Sequence, residues 1–328
     1  MRRKKTEKDR RRTLAEVLSG LARGRPVACR DRADRPALFA PERLAEARIL
    51  PERFRAGGAA WYARWSLGGP LMIVCTPCEA RALVELARTN QADISAALLV
   101  SVDCAGFRDA TGGMRRACAA CEHPVAPHAD VHAAVGEWGV RLRAGTPRGA
   151  REIETLAESG GGATREFDLE AHIARLKEGR AEERRRWLQA TRERTGGWEK
   201  LAAYFDECIL CLACMRACPV CACRQCYFET EGARGAPVTW HERAATGAEG
   251  LVREQLFFHL GRMTHVAAVC VGCGACSEAC PVGIDVAGPF RAAAENVQRK
   301  LGVTAGAEPQ REPVEALWRE SEFEETMG

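Results

Sequence analysis

The chain carries the same closely spaced cysteine pattern twice. The run C-x2-C-x2-C-x3-C-P occupies residues 208–219 and returns at 270–281. Such a duplicated run is typical of chains that wrap two [4Fe–4S] clusters, because three thiolates of each run converge on one cluster while the fourth points toward the other. The rule predicts two ligand sets, namely Cys208, Cys211, Cys214 and Cys280 for one cluster and Cys270, Cys273, Cys276 and Cys218 for its neighbour.

A pair of four-cysteine zinc sites is the alternative interpretation, since structural zinc also takes thiolates at two-residue gaps. Zinc ligands normally come as two separated pairs of cysteines. Four cysteines in one compact run, closed by proline and then repeated, favour iron–sulfur clusters.

Length and cysteine usage limit the class of protein. With 328 residues, of which 46% are hydrophobic, the chain is long enough for about two globular domains. Seventeen cysteines are an odd count, and no secretory signal is recognisable. We therefore expect metal ligands in a reducing cytoplasm rather than a disulfide framework.

Charge and hydropathy point away from membranes and nucleic acid. The basic start, MRRKKTEKDRRR, lacks the apolar segment of an export signal, and no stretch approaches the roughly 18 apolar residues of a membrane span. The net charge of +4 is small, and the acidic segment EPVEALWRESEFEETMG counters the basic one. We expect a soluble cytoplasmic protein, with both ends solvated.

A strand, a turn and a helix are predicted around residue 76. Leu71 to Val74 form a buried-strand run, and residues 80–87 have helical periodicity. Thr76 is the expected N-cap, with Pro77 at the first helical position and Glu79 completing a capping box. Cys78 then lies in the first helical turn, where free amide N–H groups stabilise a thiolate.

Further cysteines of the first half suggest a third metal site. Cys104 follows a predicted strand over residues 97–102, at the sheet edge where ligands gather in α/β proteins. Cys118 and Cys121 form a C-x-x-C pair. A third [4Fe–4S] cluster bound by Cys78, Cys104, Cys118 and Cys121 is our main hypothesis, while a zinc knuckle, a redox pair and a buried structural thiol remain alternatives.

The predicted fold class is an α/β N-terminal domain, with a mixed sheet and helices, joined by a helical connector to a mainly α ferredoxin-type dicluster domain. Residues 1–60 are left as an N-terminal extension of uncertain role. The other predicted boundaries are 61–165 for the α/β domain, 166–198 for the connector, 199–295 for the dicluster domain and 296–328 for a tail.

The first half resembles the β subunits of coenzyme F-420-reducing hydrogenases and formate dehydrogenases. The similar segments are TPCEARALVELARTNQ, SVDCAG, CAACEH with ADVHAAVGEWG, and RAGTPRGAREIE. The resemblance covers residues 70–165 and the ferredoxin-like part at 200–290. It implies that Cys78, Cys104, Cys118 and Cys121 bind a cluster. It also implies partner subunits of the formate dehydrogenase, hydrogenase or heterodisulfide-reductase type, and FAD, although no G-x-G-x-x-G fingerprint is present.

Three cysteines close to the first run are not absorbed by these sites. Cys221, Cys223 and Cys226 follow Cys218 in the pattern C-x2-C-x-C-x2-C. They either hold an additional cluster or zinc ion or are spare thiols beside the clusters. We expect Cys29 and Cys75 to be core thiols. No histidine falls in a metal pattern, and His123, His128 and His132 are interpreted as surface residues.

The leading hypothesis is an electron-transfer subunit of a cytoplasmic oxidoreductase complex, with no catalytic residue assigned. The alternatives are a flavin-containing subunit that itself reduces a deazaflavin or nicotinamide, and a zinc-binding interaction module. The chain has no nucleophile–base set and no phosphate-binding loop that would support hydrolysis or phosphoryl transfer.

Overall fold

A computed structural model gives the architecture. It describes residues 13–33, 35–47, 58, 62, 69–109, 111–126, 128–136, 139–159, 168–223, 225–230 and 252–309. The basic residues 1–12, residues 232–250 between the two cysteine runs and the acidic segment at 312–328 lie outside these ranges. Within them, no helix is both long and apolar enough to cross a membrane.

The first half of the chain is built on a six-stranded mixed sheet. The spatial order of its strands is β2-β1-β3-β4-β5-β6. The inner strands pair in parallel, while β2 and β6 run antiparallel to their neighbours at the edges. The predicted mixed α/β region is thus confirmed. The strands are β1 (Val27–Arg30), β2 (Pro36–Phe39), β3 (Met72–Cys75), β4 (Leu98–Val102), β5 (Val131–Gly136) and β6 (Gly139–Ala144).

The strand–turn–helix unit forms where the sequence predicts it. Strand β3 is wholly buried, and helix α2 (Pro77–Arg88) follows it directly. The Glu79 carboxylate accepts from the backbone N–H and the hydroxyl of Thr76, at 3.0 and 2.9 Å. The helix therefore begins with the expected capping box, and Cys78 lies in its first turn.

Residues that the sequence left unassigned complete the sheet. Helix α1 (Leu14–Ala22) packs its apolar face into the core, and β1 pairs in parallel with β3, with Val27 opposite Met72. A short 3₁₀ helix follows at Pro41–Glu46. The sheet therefore begins well before residue 61. The sequence did not reveal this start, because a four-residue strand carries too little periodicity to be recognised.

A buried ion pair joins this early segment to helix α2. The guanidinium of Arg30, at the end of β1, bonds the Glu79 carboxylate, and both side chains are only about 5% exposed (5% and 6%). Since Glu79 also caps α2, Arg30 fixes the end of the helix that carries Cys78.

Replacing Arg30 should be strongly destabilising. We expect Arg30→Ala to lower the free energy of unfolding by about 3–5 kcal/mol, because it leaves a buried carboxylate unpaired. Chemical denaturation measures this. The control Arg43→Ala removes the exposed pair with Glu46 and should change little. Equal effects for the two variants would contradict the structural role of the buried pair.

The second half is helical, as predicted. Each cysteine run leads into a single helical turn, α8 (Ala213–Arg216) in the first run and α10 (Ala275–Glu278) in the second. The longer helices α9 (Val252–Val266) and α11 (Ala287–Lys300) pack around these turns. The helices are α7 (Trp198–Tyr204), α8 (Ala213–Arg216), α9 (Val252–Val266), α10 (Ala275–Glu278) and α11 (Ala287–Lys300).

The segment between the halves forms two helices rather than one. Helix α5 (Leu169–Lys177) ends before Gly179, whose φ of 74° breaks the helix, and α6 (Arg180–Thr195) follows. From α6, Arg184 pairs with Glu122 of the first half and with Glu295 of α11. The segment contacts both halves along its side, so it does more than span the distance between them.

The first half also includes α3 (Arg116–Ala119) and α4 (Pro147–Glu158), and α3 lies against the second cysteine run. The buried guanidinium of Arg115 pairs with Glu278 and donates to the Cys273 carbonyl at 3.4 Å. From α2, Arg81 donates to the carbonyls of Val271 and Ala305 at 3.1 and 2.8 Å. Two buried arginines of the first half thus hold the backbone of the second.

The closeness of this packing makes Gly274 irreplaceable. Its φ is 74°, and a Cβ there would strike the Ala117 side chain and lie 3.1 Å from an Arg115 nitrogen. Gly283 has the same left-handed backbone, with φ of 75°, but open space around it.

We therefore expect Gly274→Ala to be more destabilising than Gly283→Ala. Both variants incur the left-handed strain, about 1–2 kcal/mol, and only Gly274→Ala must also push the two halves apart. Thermal unfolding of both variants measures the difference. Equal losses would contradict the close approach of the two halves.

Candidate metal centres

The two cysteine runs share one backbone conformation. Leu210 and Leu212 of the first run have φ of 52° and 58°, and Gly272 and Gly274 stand at the equivalent positions of the second with 71° and 74°. Left-handed residues at both places turn the chain so that successive cysteines face the same side. Glycine adopts this conformation freely, whereas leucine does so at a cost, which indicates that the turn itself is required.

The first predicted ligand set comes together in space. Burial raises the pKa of Cys208, and the neighbouring thiols of Cys211 and Cys280 raise it further. Burial raises the pKa of Cys214 to about 11, Arg262 opposes this, and the same neighbouring thiols contribute. The four sulfurs therefore lie within electrostatic range of one another, with the fourth supplied by the opposite run.

The second set is similarly arranged. Burial raises the pKa of Cys273 to about 12, and Cys270 adds to it. The pKa of Cys276 is raised well above its usual range, by burial first and then by Cys273 and Cys270. Cys218 also lies near Cys273, but its strongest interaction is a side-chain hydrogen bond with Cys221. Cys218, which both the second ligand set and the group of Cys221, Cys223 and Cys226 could use, thus lies close to a member of each.

The four dispersed cysteines of the first half also converge. Burial raises the pKa of Cys104 to about 12, with contributions from Cys118 and Cys121, and Cys104 in turn acts on Cys78. The elements explain this, because Cys78 begins α2, Cys104 follows β4 and Cys118 lies on α3. We call this set the N-terminal group.

Burial at Cys78 outweighs the effect of the helix N-terminus. Its pKa is raised well above the usual range, by burial first and then by Cys273, although the Thr76 hydroxyl contacts the sulfur at 3.3 Å. At this thiol, burial therefore opposes the stabilising effect that the helix N-terminus has on a thiolate. A bound cation or cluster would have to supply the missing charge.

Several nitrogen donors point at cysteine sulfur. Arg262 Nη1 donates to Cys214 Sγ at 3.1 Å, and the His259 ring nitrogen Nε2 lies 3.3 Å from Cys208 Sγ. Arg115 Nη1 is 3.5 Å from Cys118 Sγ. Hydrogen bonds to sulfur are one of the means by which a protein sets a cluster's potential.

The histidines near the N-terminal group are not all surface residues. His132 is 4% exposed, and burial lowers the pKa of His123 to about 3, with help from Arg81. The surface interpretation is therefore wrong for His132, whereas His123 is half-buried. The backbone N–H of His123 donates to Cys121 Sγ at 3.4 Å, so the chain at this position contacts the site through its amide.

The remaining cysteines divide into two kinds. Cys29 and Cys75 are buried in the sheet cores, and burial raises the pKa of each. Cys221, Cys223 and Cys226 line a cavity of about 190 Å³ beside α9. Burial raises the pKa of Cys223, followed by Cys221 and Cys226, so these three thiols are neighbours.

The donor chemistry fits iron–sulfur clusters. Within the described residues, no three His, Cys, Asp or Glu side chains are placed to hold one metal ion. A [4Fe–4S] cluster takes one thiolate on each of four irons, so its ligands surround a larger group. The buried guanidinium of Arg262 donates to Cys214 Sγ and supplies a fixed positive charge beside the site of an anionic cluster.

Comparison with known proteins agrees with this class of site. Residues 203–284 match the 4Fe-4S dicluster domain family, so the second half is an iron–sulfur domain. Two curated β subunits are similar over most of the chain. F420-dependent formate dehydrogenase subunit beta of Methanocaldococcus jannaschii is 20% identical over 309 residues, covering 75% of this chain and 76% of the relative.

The second relative is F420-dependent formate dehydrogenase 1 subunit beta of Methanococcus maripaludis. This relative and the present chain are 23% identical over 301 residues, which cover 72% of this chain and 73% of the relative. The resemblance inferred from the sequence is confirmed: the chain is a homologue of formate dehydrogenase β subunits and carries a C-terminal 4Fe-4S dicluster domain.

Arg262 should set the potential of the cluster beside Cys214. Its guanidinium favours the reduced cluster, which is the more negative form, so Arg262→Gln should lower the midpoint potential. Loss of a charged hydrogen bond, about 1.5 kcal/mol, corresponds to about 60 mV for one electron.

EPR-monitored redox titration measures this shift. The control Arg262→Lys keeps the positive charge and should retain most of the potential. An unchanged potential in Arg262→Gln, with the cluster still bound, would contradict the role of the guanidinium.

Proposed function

We propose that this chain is the electron-transfer subunit of a cytoplasmic oxidoreductase complex and relays electrons through three [4Fe–4S] clusters. The observation that carries the proposal is the closeness of the cysteine groups to one another. The Arg115 guanidinium lies 3.5 Å from Cys118 Sγ and also donates to the Cys273 carbonyl. In addition, Cys273 raises the pKa of Cys78, Cys118 raises the pKa of Cys273, and Cys214 raises the pKa of Cys276.

These contacts support a linear order of centres. The N-terminal group lies next to the set of Cys270, Cys273, Cys276 and Cys218, and that set lies next to the set of Cys208, Cys211, Cys214 and Cys280. Each cluster, when bound, takes up and releases one electron at a time. The side chains hold the clusters close together and shield them, and Arg115 lies between the first two centres.

The outer end of this order reaches the surface. Cys211 is exposed, and Ile209 beside it is 60% exposed. A redox partner could therefore approach the first-run cluster directly. The names of the relatives favour a formate dehydrogenase partner, with hydrogenase and heterodisulfide-reductase-like subunits as the other candidates.

The seventeen thiols support the proposed compartment. All are free in the structure, and thiol ligands survive in a reducing cytoplasm. They would be open to oxidation elsewhere.

A second candidate follows from the same names. The relatives are called F420-dependent, which favours a chain that itself reduces a deazaflavin. The flavin for this reaction, and a nicotinamide as the other acceptor, come from the family resemblance of the sequence and not from these names. Flavin released on denaturation, together with turnover by the isolated chain, would support this candidate. If the purified chain contains iron–sulfur clusters but no flavin, only the electron-relay function remains.

The N-terminal cluster gives the most direct prediction of the relay. Anaerobically purified protein should contain iron and acid-labile sulfide from this cluster in addition to about eight of each from the dicluster domain. Cys78→Ser and Cys118→Ser should each lose about four of each and one EPR signal, while both dicluster signals remain.

The buried core thiol provides a matched control. Cys29→Ala should retain all the iron and every signal. If Cys78→Ser and Cys118→Ser also retained everything, the third cluster would be wrong; zinc without sulfide in the purified protein would refute the relay altogether.

A further inference from the structure

The thiols of Cys221, Cys223 and Cys226 are used by none of the three clusters. They line one cavity together with Met215, Phe228 and His265. The thiol of Cys226 donates to the Met215 sulfur at 3.5 Å, which holds it at the cavity wall. A concave space lined by three thiols has the donor type of a metal centre.

The size of the cavity favours a group larger than one ion. Its volume is about 190 Å³, whereas the spaces among the thiols of the second and first runs are about 30 and 10 Å³. One water-sized guest needs roughly 10–15 Å³. The cavity thus has more room than the spaces at the two dicluster sites.

A buried, unpartnered donor lines the same cavity. Arg262 is 2% exposed, and its Nε has no hydrogen-bond partner among the described residues. Its Nη atoms bond the sulfur and the carbonyl of Cys214, and its guanidinium lies 4.8 Å from the Phe290 ring centre. An anionic acceptor such as a sulfide is the group that this N–H requires.

We propose that Cys221, Cys223 and Cys226 bind a fourth iron–sulfur cluster in this cavity, with His265 on the iron that lacks a cysteine. His265 is exposed and lies on α9 at the cavity wall, 5.7 Å between ring centres from Phe228. Imidazole replaces thiolate on iron in some biological clusters. Cys223 is also exposed, so this centre would lie at the surface.

The proposal also resolves the double claim on Cys218. Cys218 stays with Cys270, Cys273 and Cys276, and the closeness of its sulfur to that of Cys221 would put the fourth cluster beside the middle one. The relay, on which this step rests, would then have a branch at its middle cluster. One branch ends near Cys211 and the other near Cys223.

The test compares iron and sulfide in the full-length, anaerobically purified chain and in single variants. Cys223→Ser and Cys226→Ser should each lose about four iron and four sulfide relative to the unaltered protein. The two dicluster EPR signals should persist, and Cys29→Ala should lose nothing. His265→Ala should shift the midpoint potential of the fourth cluster or release it.

Three results would overturn the proposal. The first is unchanged iron and sulfide in both cysteine variants, and the second is zinc in the unaltered protein that the variants lose. The third, which concerns the His265 assignment, is an unchanged midpoint potential in His265→Ala. Failure of the three-cluster relay would instead appear in Cys78→Ser. Far-UV circular dichroism verifies that each variant is folded.

Discussion

The rest of this structure depends on one constraint: the cysteine sulfurs that must ionise to bind iron are buried. A thiolate is the form that binds iron, yet each of the three predicted groups has members whose pKa is raised by burial, namely Cys78, Cys214, Cys273 and Cys276. The charge must be compensated, either by iron or by fixed cations. Arg262 and Arg115 are placed for this, because each is buried and each contacts a cysteine sulfur.

One of these two arginines, Arg115, also holds the two halves of the chain together. Arg115 contacts Cys118 of the N-terminal group and the Cys273 carbonyl of the second run, so one side chain serves both. Its neighbour Ala117 packs on Gly274 so closely that a methyl group would not fit. The packing that joins the halves is therefore also what brings their cysteines near one another.

Local patterns were predictable from the sequence, and long-range ones were not. The capping box of Thr76 and Glu79 spans three residues, so the start of α2 could be recognised. Arg30 meets Glu79 across 49 positions, and nothing near Arg30 announces its partner. The grouping of cysteines within the runs followed from their spacing, whereas the dispersed four were grouped from their places near strand and helix ends and from a C-x-x-C pair, with the resemblance as added support.

Other features carried a signal that could have been used. Glycines at 272 and 274 occupy the positions of Leu210 and Leu212, so aligning the two runs would have suggested left-handed turns in both. The direction in which the Arg262 side chain points depends on how α9 packs. No local sequence pattern could therefore predict its hydrogen bond to Cys214. Burial of His132 likewise follows from its place on β5, which lies between β4 and β6 in the sheet.

The order of the centres is the central claim, and magnetic interaction between reduced clusters measures it most directly. EPR spectra of the fully reduced chain should show the N-terminal cluster broadened by its neighbour. Removing the middle cluster with Cys276→Ser should leave the N-terminal and first-run clusters with sharp, independent signals. If those two clusters still interact in Cys276→Ser, or if the N-terminal signal is already sharp in the unaltered protein, the linear order is wrong.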